Sequence, residues 1–124
     1  MAEKKLPLEG IRVLELGHAV MGPTCGLVLA DMGAEVIKVE RTGKGDDTRH
    51  LKGFGSGFFV CFNRNKKSVS IDLKSEKGKK LLHELVKNSD VLVENFGPGT
   101  VERLGVGYED CTKLNPAIIY CRLK

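Results

Sequence analysis

Gly10-Ile11-Arg12-Val13-Leu14-Glu15-Leu16-Gly17-His18-Ala19-Val20-Met21-Gly22-Pro23, continued through Thr24–Gly33 to Ala34-Glu35-Val36-Ile37-Lys38-Val39-Glu40, is the stretch that decides the fold. Ile11–Leu16 is a short apolar run with partial alternation, the pattern of a buried strand. Gly17 and Gly22 bracket the next loop. Pro23 suits the first helical position, where no backbone N–H is needed. Thr24 to Met32 continues as a short apolar helix, and Gly33 can end it in the left-handed conformation. Glu35–Glu40 reads as a second strand. A strand–helix–strand unit this compact pairs its strands in parallel through a right-handed crossover. The loop after the first strand then lies at the carboxyl edge of the sheet, where open α/β folds bind ligands.

Beyond Glu40, Arg41–His50 mixes glycines and charges and reads as an exposed loop. Leu51–Phe62 is rich in glycine and aromatics, lacks a helical period and is expected to be irregular. Asn63–Lys67 is turn-like, and Ser68–Leu73 alternates as a strand. Ser75 is a candidate N-cap for a helix to Asn88, with Leu81, Leu82, Leu85 and Val86 as its apolar stripe. Asp90–Glu94 is the next strand and Asn95–Gly99 a turn. Thr100–Leu104 is one helical turn, Tyr108–Leu114 a short helix and Ala117–Cys121 a last strand. The order βαβ, excursion, βαβαβ predicts a doubly wound α/β fold with a parallel sheet.

The bulk numbers suit one small domain: 124 residues, 41% hydrophobic and 29% charged. A net charge of +4 suits an anionic ligand. Without a dense basic run or an aromatic stacking set, it does not point to nucleic acid. Met1–Leu8 has lysines but no apolar stretch long enough for a signal peptide, and no segment suits a membrane, so a cytoplasmic protein is expected. Cys25, Cys61, Cys111 and Cys121 form no C-x-x-C pair. Each has apolar neighbours in sequence and is expected to be a buried free thiol.

The loops after the strands, His18–Gly22, Arg41–Arg49 and Asn95–Gly99 with Arg103 beyond, share the carboxyl edge. Gly17–Gly22 lacks the middle glycine of a dinucleotide fingerprint, and Arg41 directly after Glu40 suits a ribose that carries a phosphate. Gly43-Lys44-Gly45 lacks the Ser or Thr of a P-loop. No His/Cys/Asp cluster has metal-ligand spacing. Arg41, Arg49, Lys74 and Arg103 beside small and apolar loop residues suit a nucleotide with several phosphates.

Several stretches together resemble the N-terminal part of family III CoA-transferases, the L-carnitine dehydratase/bile-acid-inducible type. They are Leu8–Leu16, Gly22-Pro23, Asp31–Arg41, the G-x-G-D-x-x-R loop Gly43–Arg49, Asn63–Ser68 and Val93–Gly99. Leu104-Gly105, Gly107-Tyr108 and Leu114-Asn115-Pro116 extend the likeness over nearly the whole chain. In its first loop, with a histidine at the position of His18, the chain is similar to the formyl-CoA:oxalate branch. The resemblance implies a Rossmann-like large domain, of which residues 1–124 would be the N-terminal portion, so the sheet would be incomplete. It also implies an enzyme that moves coenzyme A from an acyl-CoA to a small carboxylic acid. CoA would be substrate rather than prosthetic group, and two full-length chains would interlock as a homodimer.

By the same resemblance, CoA would meet Ala19, Val20, Arg41, Ile71, Lys74, Asn95, Phe96, Arg103 and Leu104, and His18 would position substrate. The family's nucleophilic aspartate, which forms a mixed anhydride and then an enzyme-bound thioester, would lie beyond Lys124. On this reading the chain alone does not turn over. Asp46, Asp47 and Arg49 are read as shaping their loop, and Asn63 and Asn65 as shaping a turn. Two alternatives stay open, an α-methylacyl-CoA racemase-like fragment and a non-catalytic CoA-binding module. The intact Gly43–Arg49 and Asn63–Lys67 motifs favour transferase over racemase. The acyl donor and acceptor acid are not readable.

Overall fold

The computed structural model of the chain describes residues 5–124. Met1–Lys4, part of the stretch read for a signal sequence, lie outside the described residues. Five strands form one sheet: β1 (Arg12–Leu16), β2 (Glu35–Glu40), β3 (Lys67–Ser70), β4 (Val91–Glu94) and β5 (Ile119–Arg122). All neighbours pair in parallel, in the order β3-β2-β1-β4-β5. This is the expected doubly wound, Rossmann-like arrangement. The strand order reverses between β1 and β4, the switch point at which open sheets of this kind bind ligands.

Alternation along the strands sends side chains to two cores. Leu14, Leu16, Val39 and Leu92 face α3 (Glu76–Lys87) and α5 (Tyr108–Leu114), where they join Leu82, Val86 and Cys111. Val13, Val36 and Val93 face α1 (Met21–Asp31) and meet Ala30. Each such side chain contributes about 1.5–3 kcal/mol when fully buried. Helix α1 comes close to the sheet because its inner side is Gly22, Pro23, Gly26, Leu27 and Ala30.

Several boundaries differ from the sequence reading. Helix α1 starts at Met21, so Pro23 is its third residue. Its missing N–H is still harmless there, since the first four amides of a helix have no helical partner. Gly33 does take a positive φ, +104°. The expected irregular stretch Leu51–Phe62 contains a 3-10 turn, Gly53–Gly57, and a short helix, α2 (Phe58–Asn63). Phe54, Phe58 and Phe62, each four residues apart, meet edge to face along it. Strand β3 stops at Ser70 rather than Leu73 because β2, its only partner among the described residues, ends at Glu40, opposite Ser70. Strand β5 starts late, at Ile119, because the Asn115 side chain accepts the Ala117 N–H at 3.2 Å and holds a turn.

Ser75 caps α3 as expected, accepting the Gly78 N–H at 3.0 Å. In the expected stripe, Leu82 and Val86 are buried and Leu85 half-buried, while Leu81 sits on the helix flank and is exposed. The single turn after the Asn95 loop is α4 (Thr100–Arg103). All four thiols are free, but only Cys111 is buried; Cys25 and Cys121 are half-buried and Cys61 is exposed on α2. Local apolar neighbours in sequence do not decide which face of a short helix meets the core. No helix among the described residues is long and apolar enough to cross a membrane.

Gly26 matters because a Cβ there would overlap Glu15 Oε2, the carboxylate that α1 covers. Overpacking of that kind costs about 1–3 kcal/mol. Gly26→Ala should therefore lower the urea midpoint clearly. Gly57→Ala, with nothing near its Cβ, should leave stability within about 0.5 kcal/mol.

Candidate functional site

A cleft of about 370 Å³ opens at the carboxyl edge of the sheet. The loops after β1, β2, β3 and β4 all contribute to it. Val39, Ile71, Leu73 and Leu104 give an apolar wall, Arg41 and Lys74 stand at the mouth, and Lys38 and Asp46 lie at the floor. Across the point where strand order reverses, the His18 ring stacks on Phe96 with centroids 5.4 Å apart and planes 24° from parallel.

The first loop is tightly built. A Cβ on Gly17 would lie 2.9 Å from the Gly22 backbone, and a Cβ on Gly22 would lie 2.7 Å from the Gly17 Cα. Two bare backbones therefore pass at a distance other residues would forbid. Ala19 holds φ at +60°, a left-handed conformation that costs a non-glycine residue about 1 kcal/mol. The Asn95 side chain clamps the loop: its Oδ1 accepts the His18 N–H at 2.8 Å and its Nδ2 donates to the His18 carbonyl at 3.0 Å.

Beneath the loop lies a buried ionic network. Lys38 Nζ donates to the Gly17 carbonyl at 2.7 Å and to Glu15 Oε1 at 3.1 Å, and meets Asp46 Oδ2 at 2.9 Å. Lys66 Nζ donates to the Pro23 carbonyl at 2.7 Å and to Asn63 Oδ1 at 3.1 Å, and meets Glu15 Oε2 at 2.7 Å. All four charged side chains are at most 2% exposed. The contacts at Glu15 Oε2 and Asp46 Oδ2 are ion contacts off the hydrogen-bond line, and those oxygens have no other partner among the described residues. Burial pushes the Lys66 amine down from its ordinary pKa, against the pull of Glu15. Two cations and two anions balance, as a buried set must.

The other loops rest on glutamates at strand ends. Glu40, buried at the end of β2, accepts the Asp46 N–H at 2.8 Å, the Ser68 hydroxyl at 2.7 Å, and two guanidinium bonds from Arg49 at 2.6 and 2.7 Å. Burial raises its carboxyl, but these bonds outweigh it and set the pKa at about 2. Arg49 also lies 3.6 Å over the Phe59 ring. Asp46 accepts the Thr48 N–H and hydroxyl, at 2.9 and 2.6 Å. Glu94, buried at the end of β4, accepts the Phe96 N–H at 2.9 Å and the Arg122 guanidinium at 2.5 Å. Arg122 also reaches Glu102 at 2.7 Å.

Of the residues singled out in the sequence, His18, Arg41, Ile71, Lys74, Phe96 and Leu104 line the cleft. Ala19 and Val20 are exposed in the first loop but do not line it, and Arg103 stands exposed on α4, bonded to Thr100. Asn95 faces His18 rather than the cleft. Phe96 is half-buried, with His18 stacked on its ring. Arg41 donates to the Gly45 carbonyl at 2.9 Å and pairs with Asp47, so it is already oriented. Asn63 and Asn65 bond to the Phe59 and Ala30 carbonyls, at 2.9 and 3.1 Å, and Asn65 holds φ at +64°. The sequence reading missed Glu15, Lys38 and Lys66 as a unit. For Glu15 and Lys38, a charged residue inside an otherwise apolar strand run was the available signal.

The residues 8–124 match the model of CoA-transferase family III. The chain belongs to that family. Human succinyl-CoA:glutarate CoA-transferase is 46% identical to it over 121 residues, covering 94% of this chain and 28% of the relative. Formyl-CoA:oxalate CoA-transferase of Bradyrhizobium sp. (strain ORS 278) is 47% identical over the same shares. The Mycobacterium tuberculosis protein Rv3272 superposes with a TM-score of 0.90 at 45% identity, over 96% of this chain and 33% of that one. The chain thus spans under a third of the length of these family III relatives.

The folded pKa of Glu40, about 2, lies below the ordinary glutamate value of about 4.3. Its stabilisation is fully present above about pH 5 and is lost as pH falls through about 2. The whole shift corresponds to about 3 kcal/mol, discounted to about 2 kcal/mol because Arg49 is 37% exposed. Urea midpoints measured from pH 6 to pH 2.5 should fall more steeply for the natural chain than for Glu40→Gln, and the two curves should converge at the acid end.

Proposed function

We propose that this chain contributes the CoA-binding loops of an enzyme that moves coenzyme A from an acyl-CoA thioester to a free carboxylate. The observation that carries the reading is the cleft itself, an apolar wall with Arg41 and Lys74 at its mouth, at the carboxyl edge of a parallel sheet. Adenine suits the wall of Val39, Ile71, Leu73 and Leu104, with Phe96 beside it. Arg41 stands where the adenosine end and its ribose phosphate would lie, and Lys74 and Arg103 where the diphosphate would pass. Guanidinium groups bind phosphate oxygens in a fixed fork. His18, beside Phe96, is proposed to position the acyl end, with Ala19, Val20 and Asn95 shaping that rim.

The acids at the cleft are occupied. Glu40 and Asp46 are held by Arg49 and Lys38, Asp47 pairs with Arg41, and Asp72 accepts the Lys74 N–H at 3.0 Å. We therefore place the nucleophilic aspartate in a part of the enzyme outside these residues, and a second, interlocked copy beside it, as the resemblance implies. The same pairing supports a second reading for this stretch, a CoA-binding module without turnover of its own.

Thermal melts with and without millimolar CoA test the reading. CoA binding only the folded chain must raise the midpoint. Arg41→Ala and Arg103→Ala should each weaken CoA about tenfold, and dephospho-CoA should bind less well than CoA to the natural chain. A cooperative melt that CoA leaves unmoved would count against the assignment, starting with Arg41.

A further inference from the structure

The Asn63–Lys67 motif enters β3 at the amino end of the sheet, away from the cleft, and nothing above gives it a part in function. Its Lys66 nevertheless crosses under α1. Lys66 Nζ donates to the Pro23 carbonyl, in the first turn of α1, while Lys38 Nζ donates to the Gly17 carbonyl at the other end of the same loop. Both ammonium groups are anchored on one carboxylate, Glu15. Gly26 leaves the notch in α1 through which that carboxylate reaches Lys66. The loop between the two tethers holds Ala19 at φ +60° and carries His18 onto Phe96.

We infer that Lys66 is a positioning residue for the first loop: with Lys38 it pins both ends of Gly17–Pro23 and so holds the His18 side of the cleft in its binding geometry. Asn63, whose Oδ1 accepts from Lys66 at 3.1 Å, aims the ammonium. Two hydrogen bonds and one ion contact hold the Lys66 ammonium from three sides. The left-handed Ala19 needs such over-determination to persist. The inference rests on the CoA reading only for its consequence in binding; the tether itself is a property of the free chain.

A purely structural role, balancing the Glu15 charge, gives a different result in one experiment. Lys66→Met leaves Glu15 with one cation fewer and lowers stability. The double variant Glu15→Gln, Lys66→Met removes one charge of each sign, leaves Lys38 with Asp46, and should recover much of the melting midpoint. Exchange of the His18 amide, protected by Asn95, is read by NMR against the Leu14 amide of the core strand, and CoA binding by calorimetry. In both variants His18 exchange should stay about tenfold faster than in the natural chain relative to Leu14, and CoA about tenfold weaker. Return of His18 protection together with the midpoint in the double variant overturns the inference, as does a charge-balanced double variant that does not fold. If the natural chain binds no CoA, the CoA reading falls, while the His18 exchange still decides the tether.

Discussion

A carboxylate in the middle of a parallel sheet has no water to face, so Glu15 must be matched within the protein. Burying a charge costs several kcal/mol unless partners and hydrogen bonds compensate. Here the compensation comes from three different segments: Lys38 on the neighbouring strand, Lys66 ahead of β3 and, through Lys38, Asp46 in the loop after β2. None of these can move without leaving another charge unpaired. The network therefore sets the relative positions of β1, β2, the Asn63–Lys67 turn and two of the loops at the cleft. Removal of one partner of such a set costs about 3–5 kcal/mol, whereas removal of a matched pair can be nearly neutral. That asymmetry makes the network a specifier of geometry more than a source of stability.

The same device recurs at the carboxyl edge. β1 carries Glu15 next to its last residue, and β2 and β4 end on Glu40 and Glu94. Each of the three carboxylates is buried. Glu40 and Glu94 accept backbone N–H groups of the loops that follow them, and each takes an arginine, Arg49 and Arg122. Glu15 instead works through Lys38, whose ammonium holds the Gly17 carbonyl. Amide and guanidinium donors are thus spent inside the loops, Arg41 included through Gly45 and Asp47, and Arg41 and Lys74 stand at the mouth facing solvent. In a cleft built in this way the acids are held in place by partners within the protein.

The relation between folding and binding is close in this arrangement. Glu15, Lys38 and Glu40, which hold the loops after β1 and β2, sit on the α1 face of the sheet, next to the smaller of the two apolar cores. The larger core, under α3 and α5, is apolar apart from Glu94 at its edge. One face therefore supplies most of the hydrophobic stabilisation, and the other holds the loops after β1 and β2. Substitutions under α3 are expected to act on the whole fold, and those under α1 to act first on the first loop.

Strand–helix–strand order, the parallel sheet and the N-cap at Ser75 were legible in the sequence because each depends on local pattern: apolar periodicity, glycine and proline positions, and a hydroxyl before an acidic first turn. The motifs likewise carried the family, and the resemblance they support pointed to Arg41, Ile71, Lys74, Phe96 and Leu104, which line the cleft. The sequence did not show that Phe58–Asn63 is helical, that β3 ends at Ser70, or that Cys61 is exposed. Those outcomes depend on which neighbour is present to pair or to cover. Nor did it show that Lys66, 51 positions beyond Glu15 in the chain, closes an ion pair with it, or that Asn95 turns to His18 rather than to the cleft. Local pattern determined the elements and their order; the tertiary structure alone decided which charges meet, because a buried charge takes whatever partner the packing of distant segments brings within hydrogen-bond reach.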